Sequence, residues 1–206
     1  IFVEHISIIN LLMSQKNPVF YLNSNDGSSL LAFGALSFLR IEVNPSIDNI
    51  QRYINQNKSS FIFGFLSYDI KNEIESLNSN NTDELKFPLS YFFVPKNVVK
   101  IQNNSFSFIQ GTQNELNNNF VTQFISNINS DVKKVKAPVQ WTARTSKEKY
   151  LNVVSDIINE IKKGNIYEAN YCQEYHAKNV LIENPISCYN ALNSISNAPF
   201  SSYINI

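Results

Sequence analysis

Residues Thr145–Tyr175 read TSKEKYLNVVSDIINEIKKGNIYEANYCQEY, and the period of their apolar positions changes partway along. Thr145 and Glu148 stand three apart, the spacing at which a hydroxyl and a carboxylate each satisfy an orphan backbone donor, so a helix is expected to start there. Tyr150, Val154, Ile157, Ile158 and Ile161 recur at helical spacing and give one apolar face to a helix over about residues 146–163. Lys162 and Lys163 suit its negative end, and Gly164 supplies the left-handed residue that closes it. Ile166–His176 alternates too irregularly for a strand with one wet face, so a strand covered on both faces is expected.

Working outward, Asp131–Gln140, with its lysines and Pro138, is the best linker in the chain. Before it, Glu115–Asn129 carries Leu116, Phe120, Phe124 and Ile128 at helical spacing. Leu89–Val94, Asn97–Gln102 and Ser105–Gln110 read as three strands of an antiparallel meander, with Pro95-Lys96 and Asn103-Asn104 as the turns. Further back, a helix is expected over Ile6–Gln15, strands over Pro18–Asn23 and Leu30–Glu42, a helix over Ser46–Asn57, and a strand over Phe61–Leu66 that ends at Tyr68-Asp69. A short helix to Leu77 and a polar loop over Asn78–Thr82 complete that part. Downstream, Asn184–Ile195 is a helix entered by Pro185, and Phe200–Ile206 a final strand. Strands alternating with helices, plus a meander, define an α+β fold with a large, mostly antiparallel sheet system.

The composition narrows the function. A chain of 206 residues, 43% of them hydrophobic, can bury a real core. Seventeen basic and seventeen acidic residues cancel, and no Lys/Arg cluster is interleaved with aromatics, so no nucleic acid is expected as a partner. The longest apolar run, Leu30–Leu39, falls well short of the ~20 residues a bilayer crossing needs, so no membrane is expected either. Residues 1–10 carry Glu4 and no basic start, unlike a signal peptide, and two cysteines imply no disulfide framework. A reducing cytoplasm is the expected compartment.

Few side chains look chemically poised. His5 and His176 have no spaced metal-ligating partners, and Cys172 and Cys188 read as small buried hydrophobes. Asp69, Glu73, Glu168 and Glu174 are the carboxylates available for proton transfer, with Asp69 placed to cap the helix after it. Tyr68, Tyr167 and Tyr171 could hold a ligand ring or simply pack. No catalytic set and no metal site emerges.

Lys162-Lys163-Gly164-Asn165-Ile166-Tyr167-Glu168-Ala169-Asn170-Tyr171-Cys172-Gln173 resembles the GDIYQVNLSQ signature of the chorismate-utilising enzymes, in particular component I of aminodeoxychorismate (para-aminobenzoate) synthase and of anthranilate synthase. Three more segments agree in order. Gly64-Phe65-Leu66-Ser67-Tyr68-Asp69 with Glu75-Ser76-Leu77 is similar to GxxGYD…ESL, Leu22-Asn23-Ser24 to LxS, and Asn197-Ala198-Pro199-Phe200-Ser201 to NxxPF/Y. The departures are Asn165 for Asp, Glu168 for Gln, and Tyr171-Cys172 for Leu-Ser or Leu-Ala. The resemblance implies an anthranilate-synthase component I-like fold of packed antiparallel sheets covered by helices, incomplete at its C-terminus. Residues 1–137 would form the N-terminal subdomain, and residues 138–206 would begin the chorismate-binding domain.

It also implies chorismate as substrate, Mg2+ as cofactor and a glutamine amidotransferase subunit as ammonia source, with the magnesium ligands and catalytic groups beyond residue 206. One site carries over: an amino-acid pocket for a tryptophan-like ligand at Leu22, Asn23, Ser24, Pro199, Phe200 and Ser201. The alternative left open by the residues is that Ser24 opens a turn while Pro199 and Phe200 pack. A non-catalytic regulatory or scaffold domain of the same fold is the alternative for the chain as a whole.

Overall fold

A computed structural model describes residues 18–43, 47–75, 77–78, 83–130, 139–182 and 184–206. The helix expected over Ile6–Gln15, most of the Asn78–Thr82 loop and most of the Asp131–Gln140 linker lie outside the described residues.

Among the described residues the strands are β1 (Val19–Asn23), β2 (Ser28–Ile41), β3 (Phe63–Leu66), β4 (Ser90–Gln102), β5 (Ser105–Gln110), β6 (Thr142–Ala143), β7 (Tyr175–His176) and β8 (Ser201–Asn205). The α-helices are α1 (Ile47–Gln56), α2 (Lys71–Ile74), α3 (Glu115–Ile128), α4 (Lys147–Lys162) and α5 (Pro185–Ile195), with a 3-10 turn over Tyr68–Ile70 ahead of α2. Six strands form one antiparallel sheet in the order β3-β4-β2-β1-β8, with β5 also paired to β4. The α+β class and the antiparallel sheet match what the residue pattern implies.

The meander is built differently from the expected three strands. β4 runs unbroken for 13 residues through Pro95 and Lys96, which make no turn. Proline has no N–H to give a ladder, so it must sit where none is needed. On one side of β4 the partner β3 covers residues 90–93 and β5 covers residues 98–102, leaving Pro95 in the gap between them. On the other side Ala35 faces Pro95 at the register shift between Ala35 and Ser37. Gly34, at φ +68, supplies the backbone freedom for that bulge. Asn103 and Asn104 do form the following turn, both in the left-handed region.

The sheet buries both of its faces. One carries Val19, Tyr21, Leu31, Phe33, Val99, Ile101 and Tyr203, and α3 and α5 cover it through Phe120, Val121, Phe124 and Ile186. The other carries Phe20, Ala32 and Val98, and the sheet curls so that Phe93, Tyr91 and Phe63 close over them. The Phe20 and Phe93 ring centroids lie 5.0 Å apart there. Each such fully buried phenylalanine contributes about 1.5–3 kcal/mol through burial. Gly64 on β3 lets that strand approach β4, since a Cβ there would collide with the Tyr91 carbonyl and the Phe92 ring.

α1, α3, α4 and α5 keep their expected ranges within a residue or two, whereas the short helix expected to reach Leu77 ends at Ile74. Asn114 caps α3, its side chain accepting from the Asn117 N–H at 2.9 Å. The cap of α4 is Ser146, not Thr145: Ser146 has the extended conformation of a cap residue, and its Oγ accepts from the Lys149 N–H at 3.2 Å. Thr145 lies outside the helix, where its carbonyl accepts from Gln173 Nε2 at 2.7 Å. Gly164 closes α4 at φ +78.

The covered strand expected over Ile166–His176 shrinks to Tyr175–His176, paired with Thr142–Ala143. A strand forms only where another strand supplies its ladder, and no described strand lies beside residues 166–174, whose Ile166 and Tyr167 are exposed. The chain divides into two compact units, Ile1–Val132 with Ile186–Ile206, and Lys133–Pro185. α5 from Ile186 onward and β8 therefore fall in the unit that holds the large sheet. No helix among the described residues is long and apolar enough to cross a membrane.

Candidate functional site

The tip of the β1–β2 hairpin organises the site. β1 pairs with β2 on one side and β8 on the other, setting Asn23 opposite both Ser29 and Ser201, and Leu22 opposite Leu30 and Ser202. One row further, Leu30 faces Lys100 on β4. A cleft of about 450 Å³ opens here, lined by Leu22, Asn23, Ser24, Ser28, Ser29, Leu30, Lys100, Phe200 and Ser201.

Five of the six residues expected for an amino-acid pocket, namely Leu22, Asn23, Ser24, Phe200 and Ser201, thus share one cleft, brought together by the β1–β8 pairing. Pro199 is not among the lining residues, and Phe200 is 91% exposed rather than packed as a wall. Lys100 escaped sequence reasoning. Its only signal was a charge interrupting an apolar strand, and the row that brings it beside Leu30 depends on a pairing that no local pattern specifies. Among the described residues it is the one charged side chain lining the cleft.

The hydroxyl expected to meet a ligand is already engaged. Ser24 Oγ donates to Asp26 Oδ1 at 2.5 Å and lies 2.7 Å from the Ser28 carbonyl. The same Asp26 oxygen accepts from the Ser28 N–H at 2.9 Å and the Ser28 hydroxyl at 2.7 Å. Donation by Ser24 and Ser28 holds the Asp26 carboxyl down at about 2. The turn-opening role for Ser24 is therefore realised within the hairpin.

Behind the cleft an amide network ties the hairpin to α5. Asn25, left-handed at φ 58, exchanges side-chain hydrogen bonds with Asn193 at 2.9 and 3.0 Å, and its Nδ2 also lies within bonding distance of the Ala198 carbonyl and Ser201 Oγ. Asn23 Nδ2 donates to Asn25 Oδ1 at 2.7 Å and reaches the Tyr189 hydroxyl at 3.3 Å, which sits 2.7 Å from Ser201 Oγ. Burial pushes the neighbouring Tyr203 hydroxyl up to about 12 and raises Tyr21 as well, so both rings stay neutral at the back wall.

The remaining candidates separate. Cys172 and Cys188 are exposed thiols, not buried hydrophobes, Cys172 because its segment joins no ladder. Asp69 caps nothing: it lies inside the 3-10 turn, whose cap position is Ser67, and pairs with Lys71 Nζ at 3.1 Å. Glu168 is exposed, Glu174 pairs with Arg144 at 2.9 Å, and His5 lies outside the described residues. Among the described residues no three His, Cys, Asp or Glu side chains gather where they could hold a metal ion. The implied magnesium finds no donor set among the described residues.

An antiparallel sheet curled over an aromatic interior and backed by helices defines an anthranilate synthase component I type of fold. The crystal structure of anthranilate synthase component I from Streptococcus pneumoniae TIGR4 superposes with a TM-score of 0.58 at 15% identity, covering 82% of this chain and 46% of that one. A family described as chorismate binding enzyme matches residues 19–206, and the chain belongs to it. An anthranilate synthase component I-like protein of Synechocystis sp. is 31% identical over 141 residues, 68% of this chain and 29% of that protein. The chain thus spans less than half the length of either relative.

Proposed function

We propose that this chain is the N-terminal part of an enzyme that converts chorismate and ammonia to 4-amino-4-deoxychorismate and water, for para-aminobenzoate and folate synthesis. The observation that carries the use of chorismate is the family match over residues 19–206. The aminodeoxychorismate product rests on Asn197-Ala198-Pro199-Phe200-Ser201, where anthranilate synthases resemble PSPYM more often. On this reading magnesium and a glutamine amidotransferase serve the longer protein in the cytoplasm, and its catalytic groups lie outside the described residues. Anthranilate formation is the second reading, favoured by the names of the two relatives.

The test is product identity. Full-length protein incubated with chorismate, ammonium and magnesium should give a product that a lyase converts to para-aminobenzoate. Direct appearance of anthranilate fluorescence would overturn the assignment.

The cleft at Leu22, Asn23, Ser24, Phe200 and Ser201 serves on this reading as an amino-acid site, with Lys100 facing the carboxylate of a tryptophan-like ligand. Among the described residues no acidic side chain lines it, so the ligand ammonium lacks a charge-assisted bond worth roughly 1.5–3 kcal/mol. That corresponds to a ~10- to 150-fold loss of affinity. Tryptophan should therefore inhibit weakly or not at all, and calorimetry with tryptophan beside an activity assay checks it. Tight binding coupled to strong inhibition and abolished by Ser24→Ala would keep the site at this cleft but sink the aminodeoxychorismate assignment.

A further inference from the structure

On the other side of the same hairpin a second cleft of about 530 Å³ opens among the hairpin tip, the β4–β5 turn, the end of α3 and one side of α5. Its floor is aromatic, with Tyr21 at 6% and Phe124 at 2% exposure. Its rim is amide: Asn103 and Asn104 from the turn, Asn129 from the end of α3, Asn190 and Asn193 from α5. Asparagine makes up 31 of the chain's 206 residues but seven of the sixteen that line this cleft. Among the described residues no lining side chain is an acid or a base of ordinary pH, and burial keeps Tyr21 protonated.

We propose that this cleft binds a neutral polyhydroxylated ligand of about monosaccharide size. A primary amide offers two donor hydrogens and two acceptor lone pairs, and so can meet a hydroxyl group in either sense. The amides are held in place: Asn129 Nδ2 donates to Asn104 Oδ1 at 3.0 Å, Asn190 Nδ2 to the Asn127 carbonyl at 3.0 Å, and Asn193 exchanges bonds with Asn25. Each retains further donor or acceptor capacity for a guest. Tyr21 and Phe124, packed edge-on, give the cleft an apolar base beneath its polar rim. A charged ligand would lose hydration here without gaining a counter-charge, so the cleft discriminates against both anions and cations.

Calorimetry and saturation-transfer NMR on the full-length protein, with D-glucose and myo-inositol as neutral probes and gluconate and glucosamine as charged ones, test the proposal. A neutral probe should bind saturably in the millimolar range, and the charged probes about tenfold more weakly or worse. Asn103 and Asn104 both lie at positive φ, so the double replacement Asn103→Gly, Asn104→Gly keeps the turn while removing two rim amides. It should weaken the neutral probe about tenfold with an unchanged circular dichroism spectrum. Ser194→Arg, which adds a cation at the exposed rim, should shift the preference towards gluconate. Absence of saturable binding by either neutral probe, equal binding of all four, or affinity indifferent to these substitutions would overturn it.

Discussion

Asn25 concentrates more structure in one side chain than any other described residue at the hairpin. It joins a left-handed backbone to hydrogen bonds with Asn193, the Ala198 carbonyl and Ser201. The two contributions can be separated, because glycine tolerates φ 58 while alanine does not. Asn25→Gly should lose only the network, about 1–2 kcal/mol, and Asn25→Ala should lose roughly 1–2 kcal/mol more. Urea unfolding of the two variants measures the difference; equal values would mean the backbone is not what selects this residue. Asp26, beside it, gives a pH signature. Its folded value of about 2 lies below the 3.8 of a free aspartate, so its contribution is fully present above pH 4 and is lost as pH falls towards 2. Asp26→Asn should flatten the acid limb of the stability profile in that window, and an unchanged limb would show that the serine hydroxyls do not hold the carboxylate.

Among the elements, helices were legible and strand partners were not. α3 and α4 announce themselves by apolar spacing, and Gly164 and Pro185 mark the end of α4 and the start of α5, all signals within a few residues. Pro95 misled because its tolerance depends on two other strands, β3 and β5, ending on either side of it. Ile166–Gln173 misled because a covered strand and an unpaired apolar segment have the same local pattern. The candidate site was legible on the same terms: Leu22, Asn23, Ser24, Phe200 and Ser201 could be named from short segments, whereas Lys100 became visible only through the β2–β4 register. One ambiguity at the start of α4 is open to a direct test. Thr145 and Ser146 are both plausible caps by type, but only Ser146 Oγ reaches a helix N–H. Ser146→Ala should cost about 1 kcal/mol, as the loss of a capping hydroxyl does, and Thr145→Ala a few tenths at most. The reverse order in thermal melts would restore the capping box that the spacing suggested.

The two compact units differ sharply in how well they bury their apolar residues. The large sheet closes an aromatic interior on one face and packs α3 and α5 on the other, leaving residues such as Phe20, Phe93 and Phe120 at or below 1% exposure. α4, in the other unit, has the apolar stripe of a core helix yet no buried residue, with Leu151 55%, Ile158 44% and Ile161 38% exposed. Tyr167 and Leu181 in the same unit are 92% and 85% exposed. Surface of this kind is stable in water only when something covers it, because each exposed large side chain forgoes roughly 1.5–3 kcal/mol of burial. The 206-residue chain on its own should therefore bind a hydrophobic dye strongly and self-associate, and it should give no product from chorismate and ammonia. Light scattering after gel filtration reads the association directly. A monodisperse monomer without dye binding would show that the stripe on α4 is covered within the chain after all, and product formation would place the catalytic groups among these residues.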